Sequence, residues 1–286
     1  MKRTNLALTP TPVLLAKAAL TRARSLRWSV VHRRPADGLR ILCYHRIADE
    51  PDPLAVTPAR FAAQMAQLDG AGLRALDVES AVAHAGNGGA AGVVGLSFDD
   101  GYADVAGSAL GVLERLGFRA TVFLPTGVID HTATLSWYAH PPPMLAWDQI
   151  ADLDRAGTLR FGAHTVTHPI LTTLDAPTAR AEIAGSKSTL EAHLGHTASA
   201  FCYPAGLFGA RERALVAQAG FRLATSCEPG INTALTDPLA LRRIQVDHRD
   251  SLMDFRAKVG GGFDTPSPTR AAYRRLRFGA AASSPS

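Results

Sequence analysis

The chain alternates short apolar runs with longer segments in which apolar residues recur at helical spacing. The runs are typical of buried strands, because each one stops at polar residues or at glycine. Segment 57–72 illustrates the helical pattern, since Thr57 can cap it and Pro58 suits its first turn. The predicted strands are 39–45, 93–98, 119–125, 159–164, 199–204, 221–226 and 241–246, and the predicted helices are 13–31, 57–72, 103–116, 147–157, 176–195 and 210–220.

This alternation predicts an α/β fold in which helices surround a parallel sheet, either open or closed into a barrel. A chain of 286 residues is long enough for one barrel domain. We divide it into a basic N-terminal tail and helix (1–38), the α/β body (39–265) and a basic flexible tail (266–286).

Charge is distributed unevenly along these segments. Residues 1–34 carry eight cations and no acid, whereas 35–264 carry 18 cations against 25 acids, a net charge of −7. An acidic body does not suit nucleic acid, so we expect no nucleic-acid partner. The basic helix has two interpretations, a helix that packs on the body or peripheral membrane contact through 13–34.

Cysteine usage and hydropathy bear on the compartment. Cys43, Cys202 and Cys227 are odd in number and far apart in sequence, which favours reduced thiols over a disulfide framework. No stretch has the length and apolarity of a transmembrane helix, and the N-terminus lacks a signal-peptide pattern. We therefore expect a cytoplasmic location, at the inner membrane surface if the basic helix binds lipid.

Polar residues with chemical potential follow the predicted strands. His45 ends the first strand, Asp99 and Asp100 follow the strand 93–98, and His164 ends "FGAH". In parallel α/β folds the carboxyl ends of all strands lie on one face, and that face carries the site. We expect these side chains to meet at one rim.

The segment "HTVTHP" has metal-ligand spacing. His164 and His168 are four residues apart, and two such imidazoles with one carboxylate form a three-ligand set that leaves a coordination position open. Two unrelated surface histidines are the alternative. Beside the histidines, the pair Asp99 and Asp100 can divide its roles: one carboxylate binds the metal and the other accepts a proton from water.

The motifs "SFDDGY", "HTVTHP" and "FCYPAG" resemble, in this order, those of the polysaccharide deacetylases, carbohydrate esterase family four, and the resemblance extends over roughly 39–255. It implies a distorted (β/α)7 barrel and metal-dependent removal of an acetyl group from a sugar. The implied substrate is an N-acetylated sugar in a glycan or glycan precursor. The resemblance also implies that Asp99 is the general base and that Asp100, His164 and His168 bind a divalent metal, with Zn²⁺ as the default.

The motif "FCYPAG" departs from the commoner family pattern. The backbone N–H of Ala205, in the turn formed with Tyr203 and Pro204, is expected to donate to the oxyanion. An arginine that orients the base in the commoner pattern is replaced by Cys202. We predict that Arg243, on the last strand beside the first in a closed barrel, takes its place, because a guanidinium can hold a carboxylate through two bonds.

The general acid is not marked by a clear motif. The leaving amine needs a proton, and histidine supplies one most easily near neutral pH. His45 and His248 are the candidates, and we prefer His45 because it ends a buried strand at the predicted rim.

Other functions are open to the same barrel. One is an amidase that acts on a non-sugar amide, since the fold determines the metal chemistry but not the substrate. Another is a catalytically silent carbohydrate-binding protein, which would be expected to have lost the base or a ligand, whereas all four residues are intact. A serine hydrolase would be expected to carry Gly-x-Ser-x-Gly, which is absent.

Overall fold

The computed structural model describes residues 11–31, 37–87 and 89–265. The predicted tail 266–286 lies outside the described residues and stays a prediction. The strands are β1 (Ile41–Tyr44), β2 (Arg46–Ile47), β3 (Ala55–Val56), β4 (Arg74–Leu76), β5 (Val93–Phe98), β6 (Ala120–Leu124), β7 (Leu159–Ala163), β8 (Ala200–Cys202), β9 (Leu223–Thr225) and β10 (Ile244–Gln245).

Helices surround the strands and connect most of them. Thr57 and Asp175 cap the second and seventh helices by accepting hydrogen bonds from backbone N–H groups in the first turn, as their residue types favour. The helices are α1 (Thr11–Val31), α2 (Pro58–Gly70), α3 (Val78–Gly86), α4 (Leu110–Leu116), α5 (Thr126–Ile129), α6 (Trp147–Ala156), α7 (Ala176–Leu194), α8 (Ala210–Gln218) and α9 (Leu252–Val259).

The sheet is parallel and runs in the order β10–β1–β5–β6–β7–β8–β9, with β4 paired to the start of β5. Its two ends meet, because Leu241, just before β10, bridges Thr225 of β9. The Leu241 N–H donates to Ala224 O at 2.8 Å, and the Ser226 N–H donates to Leu241 O at 2.8 Å. The predicted distorted seven-stranded α/β barrel is confirmed.

Burial on both faces explains why the strands read as continuous apolar runs. All six residues of β5 and all four of β1 are buried, as expected for parallel strands covered by helices. Between the sheet and α2, the rings of Tyr44, Phe61 and Phe98 lie 5.4–5.9 Å apart. The Tyr44 hydroxyl donates to Gln64 Oε1 at 2.8 Å, so this buried polar group is satisfied.

Several elements differ from the sequence prediction. The helix predicted over 103–116 begins with a π-helical stretch, Val105–Ala109, and becomes α-helical only at α4. Strand β4 and helices α3 and α9 were not predicted. Strand β4 begins with the exposed Arg74 and has only two buried apolar residues, so it forms no continuous apolar run.

The basic helix α1 packs on α9 and on the chain that follows α9. The Trp28 indole N–H donates to Gly260 O at 3.0 Å, Arg24 Nε donates to Gly262 O at 2.5 Å, and Arg22 pairs with Asp254 at 2.8 Å. One face of α1 is therefore attached to the barrel. Among the described helices, none combines the length and apolarity needed to cross a membrane.

Candidate active site

The predicted residues meet at the carboxyl ends of the strands. Asp99 and Asp100 directly follow β5, and His164 directly follows β7. The Asp99 N–H donates to Tyr44 O at 3.0 Å and the His164 N–H to Leu124 O at 2.8 Å, which extends the strand pairing into the site. Asp99, Asp100 and His164 are each only 2% exposed, so their polar atoms need partners within the protein.

Asp100 forms a compact donor set with two histidines. Its Oδ1 lies 3.7 Å from His164 Nε2 and 3.5 Å from His168 Nε2, and the two nitrogens are 3.1 Å apart. This buried oxygen has no hydrogen-bond partner among the described residues, whereas Oδ2 accepts from the Tyr102 hydroxyl at 3.1 Å. An orphaned carboxylate oxygen facing two imidazole nitrogens fits a divalent cation of the zinc type.

The protonation states also suit a metal. His164 Nδ1 lies 2.7 Å from Cys202 O, and since a carbonyl can only accept, Nδ1 carries the proton and Nε2 keeps its lone pair. Burial lowers the pKa of His164. Burial and the charge of the neighbouring His164 together lower the pKa of His168 well below its usual value. Burial raises the pKa of Asp100 to about 7, so a bound cation would favour its ionised form.

Backbone strain is concentrated around this set. Five described non-glycine residues have positive φ, and four of them belong to the candidate site: Asp100 (76°), Thr165 (68°), His168 (58°) and Ala205 (55°). The left-handed region costs such residues roughly 1–2 kcal/mol each, so the surrounding structure must impose it. Strain of this kind is typical of functional sites.

The loop between the two histidines is fixed from α7. Glu182 accepts hydrogen bonds from the N–H groups of Val166 and Thr167, both at 2.9 Å, and from the Thr167 hydroxyl at 2.7 Å. Within the loop, Thr165 Oγ1 accepts from the His168 N–H at 3.0 Å. These contacts set the direction of His168. Glu182 was missed from sequence, because a lone acid within a helix carries no local signal.

Asp99 is held by Arg243. Nη1 and Nη2 of the guanidinium donate to Oδ1 and Oδ2 at 2.6 and 2.7 Å, and Arg243 is 0% exposed. Its remaining donors contact Ser226 O at 2.9 Å and Ser97 Oγ at 3.1 Å. Burial alone would raise the pKa of Asp99, but the charge and hydrogen bonds of Arg243 hold it well below its usual value. The contact predicted for Arg243 is present, and Asp99 is ionised.

Three thiols surround this ion pair. Cys43 Sγ and Cys202 Sγ lie 3.5 and 3.7 Å from Asp99 Oδ2, and Arg243 Nη2 lies 3.1 Å from Cys202 Sγ and 3.8 Å from Cys227 Sγ. Burial raises the pKa of Cys43 and Cys202 well above the usual value, so both are protonated and can donate weakly to the carboxylate. Their wide separation in sequence gave no indication of this arrangement.

In the "FCYPAG" turn the backbone, and not the phenol of Tyr203, is available to a ligand. Tyr203 is fully buried and its hydroxyl donates to Leu239 O at 3.0 Å, so this side chain supports the turn from inside. Pro204 is buried, and the Gly206 N–H donates to Tyr203 O at 2.7 Å. No described residue accepts a hydrogen bond from the Ala205 N–H. That N–H stays available to a ligand.

The two candidate acids have different surroundings. His45 is half-buried after β1. Burial and nearer charges have the largest effects on the pKa values of Asp99 and His168, and the charge of His45 has a smaller effect on both, so His45 lies close to them. The His248 ring faces its own loop: Nε2 accepts a hydrogen bond from Arg249 Nε at 3.0 Å, and Nδ1 lies 3.0 Å from Asp247 Oδ1 without forming a hydrogen bond. The assignment of His45 as the acid stays a prediction.

Aromatic residues next to the donor set were also missed. The Trp137 ring packs edge-on against the His168 ring with centroids 4.8 Å apart, and Tyr138 packs against Tyr102 at 6.2 Å. Trp137 and Tyr138 belong to the long segment between β6 and α6, which has no periodic pattern. Tyr102 could have been selected from "DDGY", because a phenol two residues after a carboxylate pair can reach it.

The protein is an α/β barrel, and a carboxylate–histidine centre lies at the carboxyl ends of its strands. This centre is a candidate metal site for hydrolysis. A family model for polysaccharide deacetylase matches residues 86–224. A Bacillus subtilis protein described as "Putative polysaccharide deacetylase YxkH" is 26% identical over 151 residues, 53% of this chain and 50% of that protein. The chain thus spans about half the length of this curated relative.

Solved structures agree with the sequence match. The Streptococcus pyogenes deacetylase PplD, in complex with acetate, is 25% identical with a TM-score of 0.69, covering 78% of this chain and 98% of that one. IcaB from Ammonifex degensii is similar in fold, with 23% identity, a TM-score of 0.67, and coverage of 80% and 98%. The resemblance to the polysaccharide deacetylases is confirmed by the family-model match over residues 86–224 and by the similarity in fold.

Proposed function

We propose that this protein is a metal-dependent hydrolase that removes an N-acetyl group from an amino-sugar-containing glycan or glycan precursor. The observation that carries the proposal is the buried donor set of Asp100, His164 and His168 beside an ionised Asp99. A divalent ion held by that set, with zinc as the default, would polarise the acetyl carbonyl and acidify water when bound.

The chain's own residues supply the remaining roles. Asp99 would accept a proton from the attacking water at Oδ1, which keeps a lone pair beyond its bond to Arg243, whereas Oδ2 also faces the thiols of Cys43 and Cys202. Arg243 acts through Asp99 and is a positioning residue. The free N–H of Ala205 would donate to the oxygen that becomes negatively charged as water adds to the carbonyl carbon.

Collapse of the addition product would break the C–N bond and release acetate. The departing nitrogen then needs a proton, which His45 is proposed to donate. The overall change consumes one water and leaves acetate and the free amine of the sugar. A deacetylase of similar fold that was solved with acetate supports this choice of acyl group.

Two other functions remain as alternatives. An amidase on a non-sugar amide would use the same residues with a different binding surface. A silent carbohydrate-binding protein is disfavoured, because Asp99 and all three candidate ligands are present and meet at hydrogen-bonding or near-coordination distances.

Acetate release distinguishes these functions. The purified protein would be assayed on N-acetylglucosamine oligomers, lipid-linked sugars and nucleotide sugars, before and after chelation and after readdition of Zn²⁺. We expect release from at least one sugar substrate that chelation abolishes and metal restores. Release only from non-sugar amides would favour the amidase, and sugar binding without any release would favour the silent protein.

The outer face of α1 bears on where in the cell the protein is located. Leu15, Leu26 and Val30 are 58%, 50% and 77% exposed, and their spacing puts them on one side of the helix. Trp28 lies on the side packed against the barrel, and Arg27 is exposed beside the apolar stripe. An exposed apolar stripe with flanking cations suits the surface of an anionic membrane better than it suits water.

We therefore propose peripheral contact of segment 13–34 with the inner surface of the cytoplasmic membrane. The test is cosedimentation with vesicles of mixed anionic and zwitterionic phospholipid at low and high salt. Leu26→Glu combined with Val30→Glu should weaken binding about tenfold or more. Leu235→Glu, a matched change at a 95% exposed leucine outside α1, should have no effect. Equal binding by both variants would leave α1 as a packing helix.

A further inference from the structure

A cavity of about 530 Å³ lies next to the donor set. Its walls come from the chain around β2 and from the segment between β6 and α6, and they are both aromatic and charged. One wall is continuous with the candidate site, because Trp137 lines the cavity and its ring also packs 4.8 Å from the ring of His168. The lining residues used below are Arg46, Glu50, Asp52, Trp137 and Tyr138.

The charged part of the lining is negative overall. Arg46 is 3% exposed, and its Nη1 donates to Glu50 at 2.8 Å and Asp52 at 2.9 Å, while Nε donates to Asp104 at 2.8 Å. One cation therefore faces three carboxylates, which accept from its Nε and Nη1 donors. The positive charge that could have attracted a phosphate is compensated by the protein's own acids.

The position of the carboxylates is fixed. The Tyr138 hydroxyl donates to Asp52, and the Leu54 N–H donates to the same side chain at 2.9 Å. Burial alone would raise the pKa of Asp52, but these bonds and the contact with Arg46 lower it, so the carboxylate is charged at neutral pH. The cavity combines aromatic faces with fixed acceptors, a composition that suits a polyhydroxylated ring.

We propose that this cavity binds a sugar residue next to the one that is deacetylated, and that it selects an uncharged or ammonium-bearing hexosamine over a phosphate. This inference rests on the proposed function. The aromatic rings would pack against the sugar face, and the carboxylates would accept from hydroxyl or ammonium groups. A phosphate next to the reacting sugar would meet like charge, so nucleotide sugars are disfavoured.

A charge reversal tests the selection. Glu50 is 57% exposed at its side chain, so Glu50→Lys does not disturb the core. We expect the wild-type holoenzyme to favour an N-acetylglucosamine pentamer over UDP-N-acetylglucosamine in kcat/KM, and Glu50→Lys to reduce that preference about tenfold. Glu114→Lys, at an exposed acid on α4, is the matched control and should leave it unchanged. An unchanged preference in Glu50→Lys would overturn the proposal.

The aromatic wall is tested by the chain length of the substrate. Trp137→Ala should raise KM for the pentamer on the order of tenfold while KM for the monosaccharide changes little, and Trp137→Phe should restore most of the difference. Metal content is measured in each variant because Trp137 touches His168. Equal changes in KM for both substrates at full metal content would contradict a neighbouring subsite.

Binding separates failure of the subsite from failure of the proposed function. A fully deacetylated glucosamine pentamer has no acetyl group, so calorimetric titration of the wild type with it requires no catalysis. Binding that weakens about tenfold in Glu50→Lys supports the subsite even if no acetate is ever released. Absence of binding by both this pentamer and the acetylated one would overturn the subsite, whatever the protein's activity.

Discussion

The ion pair between Asp99 and Arg243 should be the most stability-sensitive contact of the site. Both residues are buried, at 2% and 0% exposure, and two hydrogen bonds of 2.6 and 2.7 Å join them. Arg243→Met would leave a carboxylate buried without its counter-ion, which typically costs about 3–5 kcal/mol. For a domain of this size, that corresponds to a fall in Tm on the order of 10 °C.

The cause of that loss can be isolated by a second substitution. If the penalty comes from the uncompensated charge, Arg243→Met with Asp99→Asn should recover more than half of the lost stability, because the carboxamide of asparagine carries no charge. Arg155→Met is the surface control: its pair with Asp152 is 74% and 75% exposed, so the change should be within about 0.5 kcal/mol.

The assay is urea unfolding at neutral pH of the metal-free protein, with thermal unfolding as a second probe. Activity of Arg243→Met offers a further readout. Burial raises the pKa of Asp99, and Arg243 lowers it. Removal of Arg243 should therefore raise the pKa of Asp99 and move the acid limb of the rate profile to higher pH. The reasoning is refuted if Arg243→Met is as stable as the wild type, or if the double variant is no more stable than the single one.

Three other predictions concern the rim, the turn and a surface histidine. His45→Ala should lower kcat at least about tenfold with metal content unchanged; an unaltered kcat would exclude it as the acid. Gly206→Ala should lower the free energy of unfolding in urea by about 2–4 kcal/mol, because a Cβ would lie 2.2 Å from the backbone nitrogen of Cys227. Gly117→Ala is the control: Gly117 has a similar φ and no atom within 4 Å of such a Cβ, so the loss should be about 1 kcal/mol. The hydrogen bond from His196 to Asp154 raises the pKa of His196 in the folded protein. This contact therefore stabilises the fold fully below the pKa of His196 in the unfolded chain, about 6.5, and the stabilisation is lost as the pH rises through the pKa of His196 in the folded protein. His196→Ala should therefore lower Tm by about 1–2 °C at pH 5.5 and not at pH 8.5, and equal losses at both would contradict this.

The barrel was predictable because its central strands are buried on both faces. Runs such as "VVGLSF" carry the apolar signal through every residue, and the polar residues that end them mark the rim. Asp99 and His164 were therefore identifiable by position as well as by motif. The partnership of Asp99 with Arg243 followed from the closed topology, which puts β10 beside β1.

Other contacts depend on tertiary proximity and leave no local trace. Cys43 and Cys202 are widely separated in the chain yet both lie within 4 Å of one carboxylate oxygen. Glu182 fixes the histidine loop from a helix whose sequence pattern shows only a solvated acid. Trp137 lies in a segment without periodicity, so its contact with His168 could not be inferred from spacing.

The central claim is that Asp100, His164 and His168 hold a divalent ion that serves hydrolysis with Asp99 as the base. One paired measurement tests it: metal stoichiometry by mass spectrometry and acetate release from an N-acetylglucosamine oligomer, for the wild type and for Asp99→Asn. We predict about one equivalent of metal in both proteins and turnover reduced roughly 10²-fold or more in the variant. A wild type that releases acetate without metal, or an Asp99→Asn variant that works at full rate, would contradict the claim.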